Sequence, residues 1–155
     1  MFQRAFFSSI DLASAYNQIF LDSESRKYTA FNSTRGKWHW LRAPFGLINS
    51  GPGLCKLLAQ ALDLEPELYK YTCVYVDDLI LFSENSVEKH TQLLKLLFSA
   101  FRRANFKISA QKSRFFQSSV DFVGHNFSAF GVRPKEDKLA ALYSLPLPDS
   151  RKVLK

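Results

Sequence analysis

The first apolar run, AFFSSIDL, alternates loosely and stops at Asp11, which predicts a strand reaching to about residue 12. KYTAFN and KWHWLRA flank STRG, a Gly- and Ser-containing break between β-rich runs, and predict a hairpin. APFGLINSGPG is punctuated by Pro44, Gly46, Gly51, Pro52 and Gly53, so a loop leads into a helix over residues 54–62. Residues 71–83 predict two short apolar strands with Asp77 and Asp78 between them. In the next segment Asn85 and Glu88 resemble a capping box, and Val87, Leu94, Leu97, Phe101 and Ala104 recur at helical spacing. Short β pieces follow at 114–117, 120–124 and 126–130, then a helix at 135–144, and RKVLK reads as the start of a further element. Hairpins interrupt any strict β–α–β alternation. The pattern therefore predicts an α+β fold, an antiparallel sheet with helices on one face.

Composition narrows this picture. With 155 residues and 46% apolar content, the chain has the size of one domain and is too apolar to be disordered. A net charge of +7 favours a polyanionic partner, the other reading being a merely basic surface. Cys55 and Cys73 sit in no metal-binding spacing and read as buried, reduced thiols of an intracellular protein. The N-terminus carries too short an apolar run for a signal peptide, and no run approaches the length of a membrane span.

CVYVDDLILF, residues 73–82, poses the chemical question. Aspartate is depleted in strands and adjacent like charges repel, so Asp77 and Asp78 weaken an otherwise favourable run. A turn is one reading. Against it, no glycine is near, the flanks are strongly apolar, and Asp11 also ends an apolar strand. The other reading is a cation site, since Mg²⁺ is held by a few carboxylates with substrate phosphates. Two such ions can stabilise both oxygens of an in-line phosphoryl displacement.

YVDD at 75–78 is accompanied by DLASAYNQI (11–19), RKYTAF (26–31), LRAPFGLINS (41–50), ANFKISAQKSRFF (104–116) and VDFVGH (120–125). In order and spacing these resemble the reverse transcriptases, and the PFGL and FVGH spellings resemble those of gypsy-type LTR retrotransposons. The resemblance implies a ferredoxin-like polymerase palm, with the 27–42 hairpin derived from the fingers. Asp11, Asp77 and Asp78 match the catalytic, metal-binding triad for two Mg²⁺ ions (Mn²⁺ can substitute), and the Leu12 carbonyl joins them. Tyr16 matches the aromatic gate under the incoming dNTP sugar, and Phe45 and Gly46 the loop beside the nucleotide. Lys112 matches the lysine that protonates the leaving pyrophosphate. Tyr75 and Val76, with the hairpin Phe122, Val123, Gly124 and His125, match primer-binding positions.

Arg26, Lys27, Arg35, Lys37 and Arg42 add charge along the implied template path, with Trp38 and Trp40 interleaved as base-stacking or simply packed aromatics. His39 and His90 read as structural. Two spellings depart from the family: NSGPGLCKLL at the start of the central helix, and Phe20 in place of a common proline.

The implied activity is RNA-directed DNA polymerisation on a primed RNA or DNA template. Residues 1–155 would be a partial reverse transcriptase domain, with further fingers, thumb and RNase H regions in the same polyprotein. The implied setting is intracellular, in a cytoplasmic virus-like particle or the nucleus. The alternative is a catalytically silent remnant that at most binds nucleic acid.

Overall fold

In the computed structural model, which describes residues 4–84, 86–135 and 140, a four-stranded antiparallel sheet organises the chain. Its order is β4 (Thr72–Tyr75), β5 (Asp78–Glu84), β1 (Arg4–Asp11) and β6 (Arg114–Gln117). Strand side chains alternate between the two faces of a sheet. Ile10, Leu12, Leu79 and Leu81 accordingly point one way, into a core shared with two helices. Those helices are α2 (Ser50–Leu62), with Leu54, Leu58, Ala61 and Leu62 inward, and α3 (Val87–Arg103), with Leu93, Leu94, Leu97, Ala100 and Phe101 inward. Phe7 and Ile80 point the other way and pack with Val120 and Phe122. These last belong to a second antiparallel sheet, β7 (Ser119–Phe122), β8 (His125–Ser128) and β9 (Gly131–Pro134). The expected helices on one face are present, and part of the opposite face carries this small sheet.

β5 lies between β4 and β1, which is why Leu79, Ile80 and Leu81 are buried in succession. A two-stranded hairpin, β2 (Phe31–Ser33) and β3 (Gly36–Trp38), closes through Thr34 and Arg35, with Gly36 at φ +116°. It is shorter than the sequence pattern predicts. Asp22 caps the short helix α1 (Ser23–Arg26), accepting from the Glu24 and Ser25 amides, and a 3₁₀ turn over Lys27–Thr29 follows.

Helix α2 begins at Ser50, four residues earlier than expected. Pro52 falls in the first turn, where an amide hydrogen has no intrahelical acceptor, so its missing donor is no loss. The unusual GPG spelling therefore leaves the helix intact. Ser86 is the N-cap of α3, its hydroxyl accepting from the Lys89 amide, while Asn85 lies outside the described residues. Val87 and Ala104, at the ends of α3, are exposed rather than inward. Both cysteines are also exposed, contrary to expectation. Cys73 lies on the sheet face away from the helices, beside Ile80, and Cys55 is on the outer face of α2. The helix expected at 135–144 lies outside the described residues, Lys135 and Ala140 excepted. Among the described residues, no helix is long and apolar enough to cross a membrane.

Candidate active site

The sheet register brings the aspartates together. β1 and β5 run antiparallel with Ile10 opposite Leu79, so one step further places Asp11 directly opposite Asp78. Asp78 also faces Tyr75 across the other edge of β5. By the alternation of faces, Asp11 and Asp78 share the side of Phe7 and Ile80, away from the helices. Val76 and Asp77 form the two-residue turn between β4 and β5, with Val76 at φ +57°. A left-handed conformation at the first turn position normally calls for glycine, and a β-branched residue there is a true outlier. Such strain is held only where surrounding structure demands it. Here it turns the chain within two residues while leaving Asp77 exposed at the tip and Asp78 in the ladder.

Electrostatics follow from this crowding. Partial burial, then the Asp77 charge, then the Asp11 charge push the Asp78 carboxyl above its usual range. Lys112 offers limited relief, its Nζ being 3.9 Å from Asp11 Oδ1 with the lysine mostly in solvent. The donor set is all carboxylate and carbonyl oxygen, which suits a hard divalent cation. Among the described residues, no three His, Cys, Asp or Glu side chains form a ready-made metal cage. Mg²⁺ does not need one, because it binds through one or two carboxylates and completes its shell with water and phosphate.

The Asp11 backbone is fixed from both sides. Its N–H donates to Ser113 Oγ at 3.1 Å and its carbonyl accepts from Ser109 N at 2.8 Å. Leu12 bridges Ile108, but the flanking hydrogen bonds come from Asp11 and Ala13, so the bridge does not use the Leu12 carbonyl. The Leu12 side chain is buried in the core. Gln18 clasps the same junction, donating to Ala13 O and Lys107 O and accepting from Lys107 N. Sequence reasoning missed Gln18, Ser109 and Ser113. They stood inside quoted motifs, yet their partners lie roughly 90–100 residues away.

The remaining predicted residues divide. The Tyr16 ring meets the Phe45 ring edge-on, centroids 5.5 Å apart, and Phe45 is exposed, as an aromatic wall beside a substrate would be. Gly46 has φ +91° and open space where a Cβ would stand, so backbone conformation rather than close approach calls for glycine. Val123 and Gly124, both at positive φ, form the turn between β7 and β8, and the exposed His125 hydrogen-bonds back to Val123 O at 3.0 Å. Phe122, at the end of β7, is buried with Phe7 and Ile80 and seats this hairpin on the main sheet.

Arg26 is also occupied, its Nε donating to Leu21 O, and Lys27 pairs with Glu24 at 3.6 Å. Trp38 and Trp40 are exposed rather than forming a packed face. His90 is structural, fully buried between Ser8 and Ser83, whereas His39 is exposed.

Comparison with known proteins bears on this geometry. The family model for "Reverse transcriptase (RNA-dependent DNA polymerase)" matches residues 3–127. The chain is 35% identical over 150 residues to the retrovirus-related Pol polyprotein from transposon 297 of Drosophila melanogaster, covering 97% of this chain and 14% of that protein. It is 36% identical over 146 residues to the Pol polyprotein from transposon gypsy of the same organism, covering 93% of this chain and 14% of the relative. The foamy viral protease-reverse transcriptase, solved in complex with an RNA/DNA hybrid, superposes with a TM-score of 0.79 at 24% identity. That match covers 94% of this chain and 19% of the solved one, and speaks for the fold. The chain thus spans about a seventh of the length of these two transposon relatives.

Proposed function

The chain belongs to the family of reverse transcriptases, and on that premise we propose that it carries the catalytic centre of an RNA-directed DNA polymerase. The reaction joins a dNTP to a primer: the primer 3′-hydroxyl attacks the α-phosphate and pyrophosphate leaves. The observation that carries the reading is the register of β1 against β5, which sets Asp11 opposite Asp78 beside a strained turn. Asp11 and Asp78, with Asp77 and the Leu12 carbonyl, would hold two Mg²⁺ ions, or Mn²⁺ in their place. When bound, these ions supply positive charge to the attacking and leaving oxygens.

The protein's own groups do the positioning. Tyr16, braced by Phe45, walls the sugar site and leaves no room for a 2′-hydroxyl, so deoxynucleotides are preferred. Phe45 and Gly46 border the base and template. Lys112 stands beside Asp11, where its ammonium can deliver a proton to the departing pyrophosphate oxygen. Tyr75 and Val76, with the Val123–Gly124–His125 turn seated on Phe122, align the primer end. Lys27 and the exposed hairpin aromatics lie along the template path, with Arg26 holding the local backbone.

Nucleic acid as partner fits the relative solved with an RNA/DNA hybrid and the chain's net charge of +7. Residues 1–155 are read as part of a reverse transcriptase domain that works with further fingers, thumb and RNase H regions of a longer polyprotein. The test is Mg²⁺-dependent dNTP incorporation on a primed RNA template, comparing the chain with its Asp77→Asn, Asp78→Asn double variant. Incorporation by the parent and not by the variant is expected. Equal incorporation by both, or dependence on no template, would overturn the assignment.

A further inference from the structure

Among the described residues the Tyr16 hydroxyl takes no hydrogen bond, so the place of its ring depends on the turn that carries it. That turn is a single 3₁₀ turn, Ala15–Gln18, entered through Ser14 at φ 48°. Ser14 offers it no side-chain cap bond, and a left-handed serine needs support from elsewhere. We propose that Gln18 is the positioning residue for this wall: its side-chain amide fixes Tyr16 relative to Asp11 and so sets the preference for deoxynucleotides. The inference rests on the catalytic reading above.

Three anchors meet at Gln18. Its Nε2 donates to Ala13 O at 2.7 Å, immediately before Ser14, and closes the turn on itself. Nε2 also donates to Lys107 O at 2.9 Å, while Oε1 accepts from Lys107 N at 2.8 Å. The amide thus meets both polar groups of one residue, as the backbone of a neighbouring strand would. A primary amide carries two donors and an acceptor oxygen at one tip, and Gln18 uses them all.

The segment it grips also holds the Asp11 end of β1. Ile108 bridges Leu12, Ser109 N donates to Asp11 O at 2.8 Å, and Ala13 N donates to Lys107 O at 3.0 Å. Asp11 and Tyr16 are therefore both referenced to residues 107–109, and Gln18 is the link on the Tyr16 side. The facing wall is tied in as well. Arg42 Nη1 donates to Gln18 O at 3.2 Å and Ala43 N to Ile19 O at 3.0 Å, two residues before the Phe45 ring that meets Tyr16.

A wall that excludes a 2′-hydroxyl works by a small clearance, so loosening its turn should admit ribonucleotides before it stops the reaction. The test is single-nucleotide incorporation of dATP and of ATP on a primed RNA template by the 155-residue chain. Gln18→Met keeps the length of the side chain without the amide. Gln18→Glu keeps the acceptor for Lys107 N but, ionised, sets a carboxylate against two carbonyl oxygens. Both should lower the dATP-to-ATP ratio of kcat/KM about tenfold, less than the roughly 100-fold that a misplacement of about 1 Å can cost. His90→Gln weakens the fold through Ser8 and Ser83, which lie outside this turn, and should leave the ratio alone. An unchanged ratio in either Gln18 variant, or an equal fall in His90→Gln, overturns the proposal.

Hydrogen exchange read by mass spectrometry separates this proposal from the catalytic reading, since it needs neither metal nor template. In both Gln18 variants residues 13–19 should exchange about tenfold faster than in the parent, with the β7–β8 hairpin unchanged. If the parent incorporates neither nucleotide, the catalytic reading fails and exchange alone decides whether Gln18 fixes the turn. Equal protection of residues 13–19 in parent and variants overturns it.

Discussion

His90 should make this protein lose stability in mild acid. It is fully buried, and its ring is held at both nitrogens: Nε2 lies 2.7 Å from Ser8 Oγ and Nδ1 lies 2.9 Å from Ser83 Oγ. Ser83 already donates its hydroxyl hydrogen to Glu84 O, so it accepts from Nδ1–H. Nε2 is then the acceptor for the Ser8 hydroxyl, whose oxygen in turn accepts from the Phe116 amide. Every group in this chain of bonds is satisfied by a neutral imidazole, and protonation at Nε2 would strand the Ser8 hydrogen. Burial accordingly holds the His90 pKa below its ordinary value.

The unfolded chain therefore takes up a proton near pH 6.5 that the folded chain refuses, and stability falls as pH falls. Between pH 7.5 and 5.5 the loss has a ceiling of about 1.4 kcal/mol, the limit in which only the unfolded chain takes up the proton. It levels off once pH drops through the lowered folded-state pKa. The assay is urea unfolding of the parent and of His90→Gln at both pH values. The variant should be weaker at pH 7.5 by about 1–3 kcal/mol, the cost of leaving a buried hydroxyl unpaired. Because glutamine does not titrate, the gap between the two proteins should be smaller at pH 5.5 than at pH 7.5. A gap of constant size would refute the reasoning, since it would mean that His90 takes up its proton equally in both states.

Asp78 responds in the opposite sense. Its carboxyl is raised by burial and by Asp77 and Asp11, so ionisation disfavours the metal-free fold above the ordinary aspartate range. Asp78→Asn should melt higher than the parent in EDTA at pH 7, the advantage should vanish below about pH 3.8, and incorporation should be lost; an unchanged or lower melting point at pH 7 would contradict this. Val76→Gly removes a left-handed penalty of about 1–2 kcal/mol against a glycine entropy cost of about 0.5–1 kcal/mol. Thermal unfolding should thus show equal or slightly greater stability while incorporation falls, whereas clear destabilisation would show the turn to be unstrained. Leu97→Ala empties a fully buried position between α3 and the sheet and should cost about 2–5 kcal/mol in denaturant unfolding. A cost below 1 kcal/mol would mean that this core can collapse around the gap.

Much of the architecture was legible because it rests on local rules. The period-two run ending at Asp11, the apolar pair of strands around Asp77 and Asp78, and the helical spacing of Leu94, Leu97 and Phe101 each express burial of one face. The motifs carried the family for the same reason: they are contiguous, and residue type with spacing is enough to recognise them. Local rules misled where a single residue had two uses. Pro52 looked like a loop signal and is a first-turn helix residue, and Cys73 looked like core because its strand neighbours are, although alternation puts it on the outer face. Phe122 matched a primer-binding position by its motif, and only the packing reveals that it is also buried with Phe7 and Ile80.

By itself, the sequence determined the order of elements, the residue types available for chemistry and the family, since all three depend on neighbours along the chain. Only the tertiary structure decided that Asp11 stands opposite Asp78, that Ser113 and Ser109 pin its backbone, and that Gln18 ties Ala13 to Lys107. Those juxtapositions join residues some 65 to 100 positions apart. They follow from side-chain packing and from the pairing of strands far apart along the chain, where the apolar pattern says which face is buried but not which strand lies alongside.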